Sequence, residues 1–121
     1  MSSLLINGAN IEYEELGTGT TVALFAGGRG DMNSIRGLAE RLSAHHRVIL
    51  HDRRNCGSSD VVIGGDLSEH EIWTEDFREL LNRLDAVPAY VGGGSNGSAV
   101  SLLMANRYPE IVKGLLLWNV V

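Results

Sequence analysis

One run, Tyr90-Val-Gly-Gly-Gly-Ser-Asn-Gly-Ser-Ala99, limits the folds open to this chain more than any other. It crowds glycines 92, 93, 94 and 97 around a single serine, between an apolar stretch at 89–91 that reads as a strand and a segment at 96–107 that reads as a helix stopped before Pro109. A strand that turns sharply into a helix strains its corner residue, and the positions two before and two after the corner must be small. Gly93 and Gly97 fill those positions, which makes Gly-x-Ser-x-Gly a nucleophile elbow holding the Ser95 hydroxyl out from the sheet edge. Behind it, the helix N-terminus offers backbone N–H groups to negative charge, that of Asn96 first. The competing readings are a plain glycine-rich turn and a phosphate-binding loop. Because no Gly-x-Gly-x-x-Gly follows the first parallel strand, the strand-to-helix context favours the elbow.

The remaining elements alternate. Residues 3–6 and 11–16 flank Asn7-Gly8, a pair suited to tight hairpin turns. Residues 20–26 form an apolar run that enters the glycine loop 27–30. Asp31 or Asn33 caps a helix with apolar positions Ile35, Leu38, Ala39 and Leu42. Residues 47–51 read as a short strand and 52–66 as a surface loop. Ser68-Glu-His-Glu71 has capping-box spacing, and Trp73, Phe77, Leu80, Leu81 and Leu84 then mark one stripe, read as core in preference to a partner surface. A last strand covers 114–121. The expected fold is α/β, an N-terminal hairpin followed by a mostly parallel sheet with helices on both faces.

Composition excludes several functions. The net charge is −5 and the pI near 5.2, with ten dispersed basic residues, which gives no footprint for nucleic acid or anionic lipid. One cysteine rules out an internal disulfide framework, and four histidines at irregular spacing match no metal site. No apolar run reaches about 18 residues and no leader pattern opens the chain, so the expectation is a soluble cytoplasmic protein without membrane or nucleic-acid partners.

Together these segments resemble the α/β-hydrolase fold over essentially the whole chain. Val22-Ala-Leu-Phe-Ala-Gly-Gly-Arg-Gly30 is similar to the family's strand and oxyanion loop, which implies Gly28 N–H as the second oxyanion donor beside Asn96. Ala26-Gly27 stands where a His-Gly pair is common. The donor is a backbone group, so the missing histidine leaves the chemistry possible and opens the question of what supports the loop. Asp52, Arg54, Gly57 and Ser59 match the family's Asp-x-Arg-Gly-x-Gly-x-Ser segment, with Asn55 in place of a glycine, and the resemblance gives that segment a structural role. In the stretch 90–117, which looks like elbow, helix and next strand in one piece, Gly94 stands where histidine is frequent and Ser98 where glycine is frequent.

A serine nucleophile needs a base and usually an acid to orient it, and in this fold they follow in the order Ser, Asp or Glu, His. After Ser95 the sequence holds only Glu110 and no histidine. Upstream, His45 and His46 read as solvated at a helix end, His70 as a first-turn residue, and His51, beside Asp52, as the one contender for a base; Cys56 reads as an ordinary loop cysteine. The expectation is therefore that residues 1–121 are the N-terminal part of an α/β-hydrolase core, truncated after the sixth strand and nearly inactive alone. The apolar strand at 114–121 would pair with the remainder of the hydrolase polypeptide or with a second chain. The leading function is a serine hydrolase acting on an ester-like bond of a small-molecule substrate, with Ser95 as nucleophile, Gly28 and Asn96 as oxyanion hole, Gly93 and Gly97 as elbow, and no metal or cofactor required. The alternative is a non-catalytic ligand-binding or interaction module on the same fold. A third is perhydrolysis or carbon–carbon bond hydrolysis.

Overall fold

The computed structural model describes residues 2–120. Asn7 and Gly8 both take positive φ, 48° and 86°, the backbone of a tight turn whose twist matches its flanking strands. The turn joins β1 (Ser2–Ile6) to β2 (Ala9–Leu16) in antiparallel register, Ser2 opposite Tyr13 and Ile6 opposite Ala9. β3 (Thr21–Phe25), β4 (Arg47–His51), β5 (Ala89–Gly94) and β6 (Val112–Trp118) complete a sheet ordered β1-β2-β4-β3-β5-β6. β2 and β4 pair antiparallel, and every later pair is parallel.

The central strands β3 and β4 carry unbroken apolar runs at 22–25 and 48–50 because both of their faces are covered. Val22, Leu24, Val48 and Leu50 point to one side, where Met32 and Ala39 pack with α1 (Arg36–Leu42). Ala23, Phe25, Ile49 and Val91 point to the other, against Trp73, Phe77 and Leu81 of α2 (Glu69–Arg83) and Val100 and Met104 of α3 (Asn96–Arg107). The period-2 alternation of strands thus sorts one apolar run into two cores.

Capping follows the sequence reading. The Ser68 hydroxyl accepts the Glu71 N–H at 3.2 Å while the Glu71 carboxylate accepts the Ser68 N–H at 3.1 Å. Arg107, donating at 2.8 Å, and after it these capping bonds hold the Glu71 carboxyl down at about 2. Asp31 is the other cap, accepting the Asn33 N–H at 3.0 Å, but it caps a 3₁₀ turn at Met32–Ile35 that precedes α1. That tighter turn shifts the phase of the apolar stripe, so Ala39 is buried while Leu38 is 40% exposed.

Three expectations need correction. β5 runs through Gly94 instead of ending at Val91, so three of the four glycines lie in the strand and the bend falls at Ser95 alone. β6 begins at Val112, two residues earlier than expected, and ends at Trp118; Val121 lies outside the described residues. The segment 52–66 is no simple surface loop, for Asp52, Arg53, Arg54, Cys56 and Ser59 are buried. Its charges are consumed internally: Asp52 accepts the N–H groups of Met32 at 2.7 Å and Ser58 at 2.9 Å, and Arg54 forks onto Asp76 at 2.6 and 2.9 Å. Arg53, buried in the same segment, donates to backbone carbonyls instead of a carboxylate.

β6 is the last strand of the sheet, and Leu115, Leu116 and Trp118 on it are each more than one third exposed. No helix among the described residues is long and apolar enough to cross a membrane.

Candidate active site

Ser95 sits at the corner between β5 and α3 with φ 54° and ψ −115°, a conformation that side-chain-bearing residues rarely adopt. The surroundings enforce it. Its N–H donates to the carbonyls of Trp118 and Asn119 at 3.3 and 3.1 Å, and its carbonyl accepts from Ser98 N–H, Ser98 hydroxyl and Ala99 N–H at 2.9, 2.6 and 3.2 Å. The hydroxyl makes no capping bond, and the residue is half-buried.

The glycines of the motif each meet something. A Cβ on Gly93 would strike the Phe25 carbonyl oxygen and stand 2.7 Å from Gly97 Cα; one on Gly97 would strike the same carbonyl. Strand β5, helix α3 and the end of β3 therefore touch backbone to backbone beneath Ser95. A Cβ on Gly92 would strike the Leu116 carbonyl, and one on Gly94 the Trp118 indole, so these two glycines admit β6.

The loop after β3 lies directly beside the corner. A Cβ on Gly27 would stand 2.7 Å from the Gly94 carbonyl oxygen and 3.6 Å from Ser95 Cβ. Gly28 takes φ 55°, and its carbonyl accepts from the Asn96 side-chain amide at 3.0 Å. Among the described residues, Gly28 N–H donates to no backbone carbonyl, and the Asn96 N–H, in the first turn of α3, has no intrahelical acceptor. The structure thus brings Ser95, Gly28 and Asn96 together, with Gly93 and Gly97 packed beneath them.

Two residues at this site escaped sequence reasoning. His70, in the first turn of α2, directs Nε2 to Asn96 Oδ1 at 3.1 Å and sets its ring edge-on to Trp73. Arg53 is 2% exposed, sits over the rings of Trp73 and Phe25 at 4.5 and 5.1 Å, donates to Ala26 O at 2.8 Å and also donates to Gly28 O. For His70 the signal was absent, since only the packing of α2 against α3 carries it to Asn96. For Arg53 the signal was an arginine between Asp52 and Arg54, in a segment read as a surface loop with a structural role. Above them Arg29 forks onto Glu69 at 3.1 and 3.0 Å, holding that carboxyl below its usual range. A cleft of about 490 Å³ opens alongside, lined by Arg29, Asn55, Val61, Ile63, Leu67 and Ile72.

His51, the contender for a base, closes β4 at 2% exposure, stacked on Phe77 at 4.8 Å and edge-on to Phe25 at 5.2 Å. Burial first, and the Arg53 charge second, lower its pKa to about 3, and neither ring nitrogen has a partner among the described residues. It is a neutral core residue. The folded pKa lies below the unfolded value of about 6.5, so the unfolded chain binds the extra proton between those limits. Stability is then complete above pH 6.5 and falls by up to about 1.4 kcal/mol per pH unit down toward pH 3. His51→Phe should flatten that part of the profile in urea melts at pH 4 to 7; an unchanged slope would contradict the buried neutral ring.

Comparison with known proteins agrees with this fold. The model of the α/β hydrolase fold family matches residues 20–120. The hydrolase YraK of Bacillus subtilis strain 168, itself uncharacterized, is 33% identical over 110 residues, covering 91% of this chain and 41% of that protein. RutD of Azorhizobium caulinodans, named as a candidate carbamate hydrolase, is 35% identical over 114 residues, again 41% of its length. The chain therefore spans about two fifths of these curated relatives. Among solved structures, a thermophilic esterase from Thermogutta terrifontis superposes with a TM-score of 0.86 at 28% identity, over 96% of this chain and 44% of that one. With a sheet of this order, helices on both faces and a family match over most of its length, the chain belongs to the α/β-hydrolase fold family.

Proposed function

We propose that this chain carries the nucleophile and oxyanion hole of a serine hydrolase acting on ester-like bonds of small molecules. The observation that supports it most is the strained φ of Ser95 beside two backbone N–H groups, Gly28 and Asn96, that donate to no backbone carbonyl among the described residues. Ser95 Oγ attacks the substrate carbonyl carbon, and those N–H groups receive the negative charge on its oxygen. A histidine takes the hydroxyl proton and passes it to the leaving alcohol; water then releases the acyl group by the same route in reverse.

The histidine and its acid come from polypeptide other than these 121 residues. His51 is locked in the core and His70 engages Asn96, while no histidine follows Ser95. The outer edge of β6 is where further strands of the same hydrolase would join, covering Leu115, Leu116 and Trp118. The apolar side of the cleft by Arg29 would take part of the acyl group. The relative named for carbamates adds that bond to the substrate panel.

A fluorophosphonate probe tests this reading. It should label Ser95 in the complete enzyme, and label residues 1–121 alone at a rate lower by at least about 10³-fold, since removal of the base costs that much or more. Strong labelling of the lone, folded chain would place the base within it, and a complete protein that binds esters or carbamates tightly without turnover or labelling would favour a binding module.

A further inference from the structure

The loop that carries the Gly28 donor contains two successive glycines, the residues with the greatest backbone freedom, and the side chain that supports such a loop is not evident from its own sequence. The structure supplies three clamps on three successive peptides. The carbonyl of Ala26 accepts from Arg53 at 2.8 Å. The carbonyl of Gly27 accepts from Gly30 N–H at 3.0 Å, which fixes the plane of the peptide whose N–H belongs to Gly28. The carbonyl of Gly28 accepts from both Arg53 and Asn96. One guanidinium thus holds the peptides on either side of the proposed donor.

Arg53 is an unusual choice for a merely structural clamp. It is buried among apolar rings, has no carboxylate within salt-bridge reach among the described residues, and leaves its Nε without a partner. Most buried charges in proteins are paired, as Arg54 is with Asp76. A planar fork holds two carbonyls from two separate nitrogens at a fixed spacing, whereas lysine offers one freely rotating nitrogen. The Phe25 and Trp73 rings fix the plane of the fork.

We propose that Arg53 is the positioning residue of the oxyanion loop: it prevents the Gly27-Gly28 peptide from flipping, a motion that would turn the Gly28 N–H away and present a carbonyl to the developing oxyanion. This rests on the hydrolase reading for its catalytic consequence but not for its structural one. Arg53 touches no reacting atom, so its loss acts on the transition state through Gly28 and leaves ground-state binding largely alone.

The test compares Arg53→Met, which keeps the aliphatic bulk and removes every donor, with Arg53→Lys, which keeps the charge and reaches one carbonyl. In the complete enzyme, Arg53→Met should lower kcat by about 10²-fold with KM changed less than about threefold, and weaken a boronic acid transition-state analogue by the same factor as kcat/KM. Amide exchange across 27–30 should accelerate at least tenfold, with Arg53→Lys intermediate in all three readouts. Wild-type exchange at 27–30 in folded Arg53→Met, or a loss carried entirely by KM, overturns the proposal. If Arg53→Met does not fold, Arg53→Lys decides alone: wild-type exchange and kcat would overturn it. Exchange needs no turnover, so it reports on the clamp even if Ser95 proves not to be a nucleophile.

Discussion

Ser95→Gly should make the protein more stable while abolishing turnover. The residue holds φ 54° and ψ −115°, which costs a residue with a Cβ on the order of 1–3 kcal/mol and glycine almost nothing. Part of that gain is offset by the greater freedom of glycine in the unfolded chain, about 0.5–1 kcal/mol. Nothing else is lost: the hydroxyl makes no capping bond, and the hydrogen bonds of residue 95 to Trp118, Asn119, Ser98 and Ala99 all use backbone groups of residue 95 that glycine retains. A net gain of about 1 kcal/mol should appear as a Tm higher by roughly 4 °C. In the complete enzyme the same variant should lose at least about 10⁴-fold in kcat/KM. Ser95→Ala should lose as much activity and gain no stability, because it keeps the Cβ and hence the strain. A Ser95→Gly protein that melts lower than wild type would mean that the corner is relaxed, and retained turnover would remove Ser95 from the chemistry.

That strain was legible in the sequence because it leaves a local trace. Gly93 and Gly97, at fixed offsets from Ser95, announce a close crossing of strand and helix, and the crossing partner proved to be the Phe25 carbonyl. Asn7-Gly8, the Ser68 and Glu71 pair and the stripe from Trp73 to Leu81 are equally local, and each formed the element it announces. Contacts between distant segments left no such trace. Arg53 and Arg54 look alike in a polar segment, yet one forks onto Asp76 and the other onto two carbonyls of a loop 25 and 27 residues away, and only the packed sheet separates the two roles. His70 reads as any first-turn residue until α2 is laid against α3. The glycines at 92 and 94 belong to the same class: they make room for Leu116 and the Trp118 indole, which arrive from the far end of α3. Gly94 is small here for that reason, whatever side chain the family more often places there.

Gly93→Ala is the substitution expected to harm this fold most for the fewest atoms. Its single methyl would strike the Phe25 carbonyl oxygen and lie 2.7 Å from Gly97 Cα and 3.0 Å from Gly97 C, all backbone atoms with no rotamer to give way. Phe25 lies opposite Gly93 in the β3–β5 register and ends a strand paired on both edges, so it cannot retreat without breaking ladder bonds. α3 can withdraw instead, but it would carry Asn96 off Gly28 and open the core around Val100 and Met104. Either response should cost about 3 kcal/mol or more, read as a shift in the urea midpoint at constant slope, and should lower kcat at least tenfold in whatever fraction folds. Gly37→Ala provides the contrast, since glycine 37 lies inside α1 with nothing within 4 Å of the added methyl. There the same chemical change should stabilise by about 0.5–1 kcal/mol, because alanine is the better helix former. Opposite signs at the two positions would tie the cost to the backbone contact under Ser95; equal effects would mean that β5 and α3 do not touch there and that the elbow is held by something else.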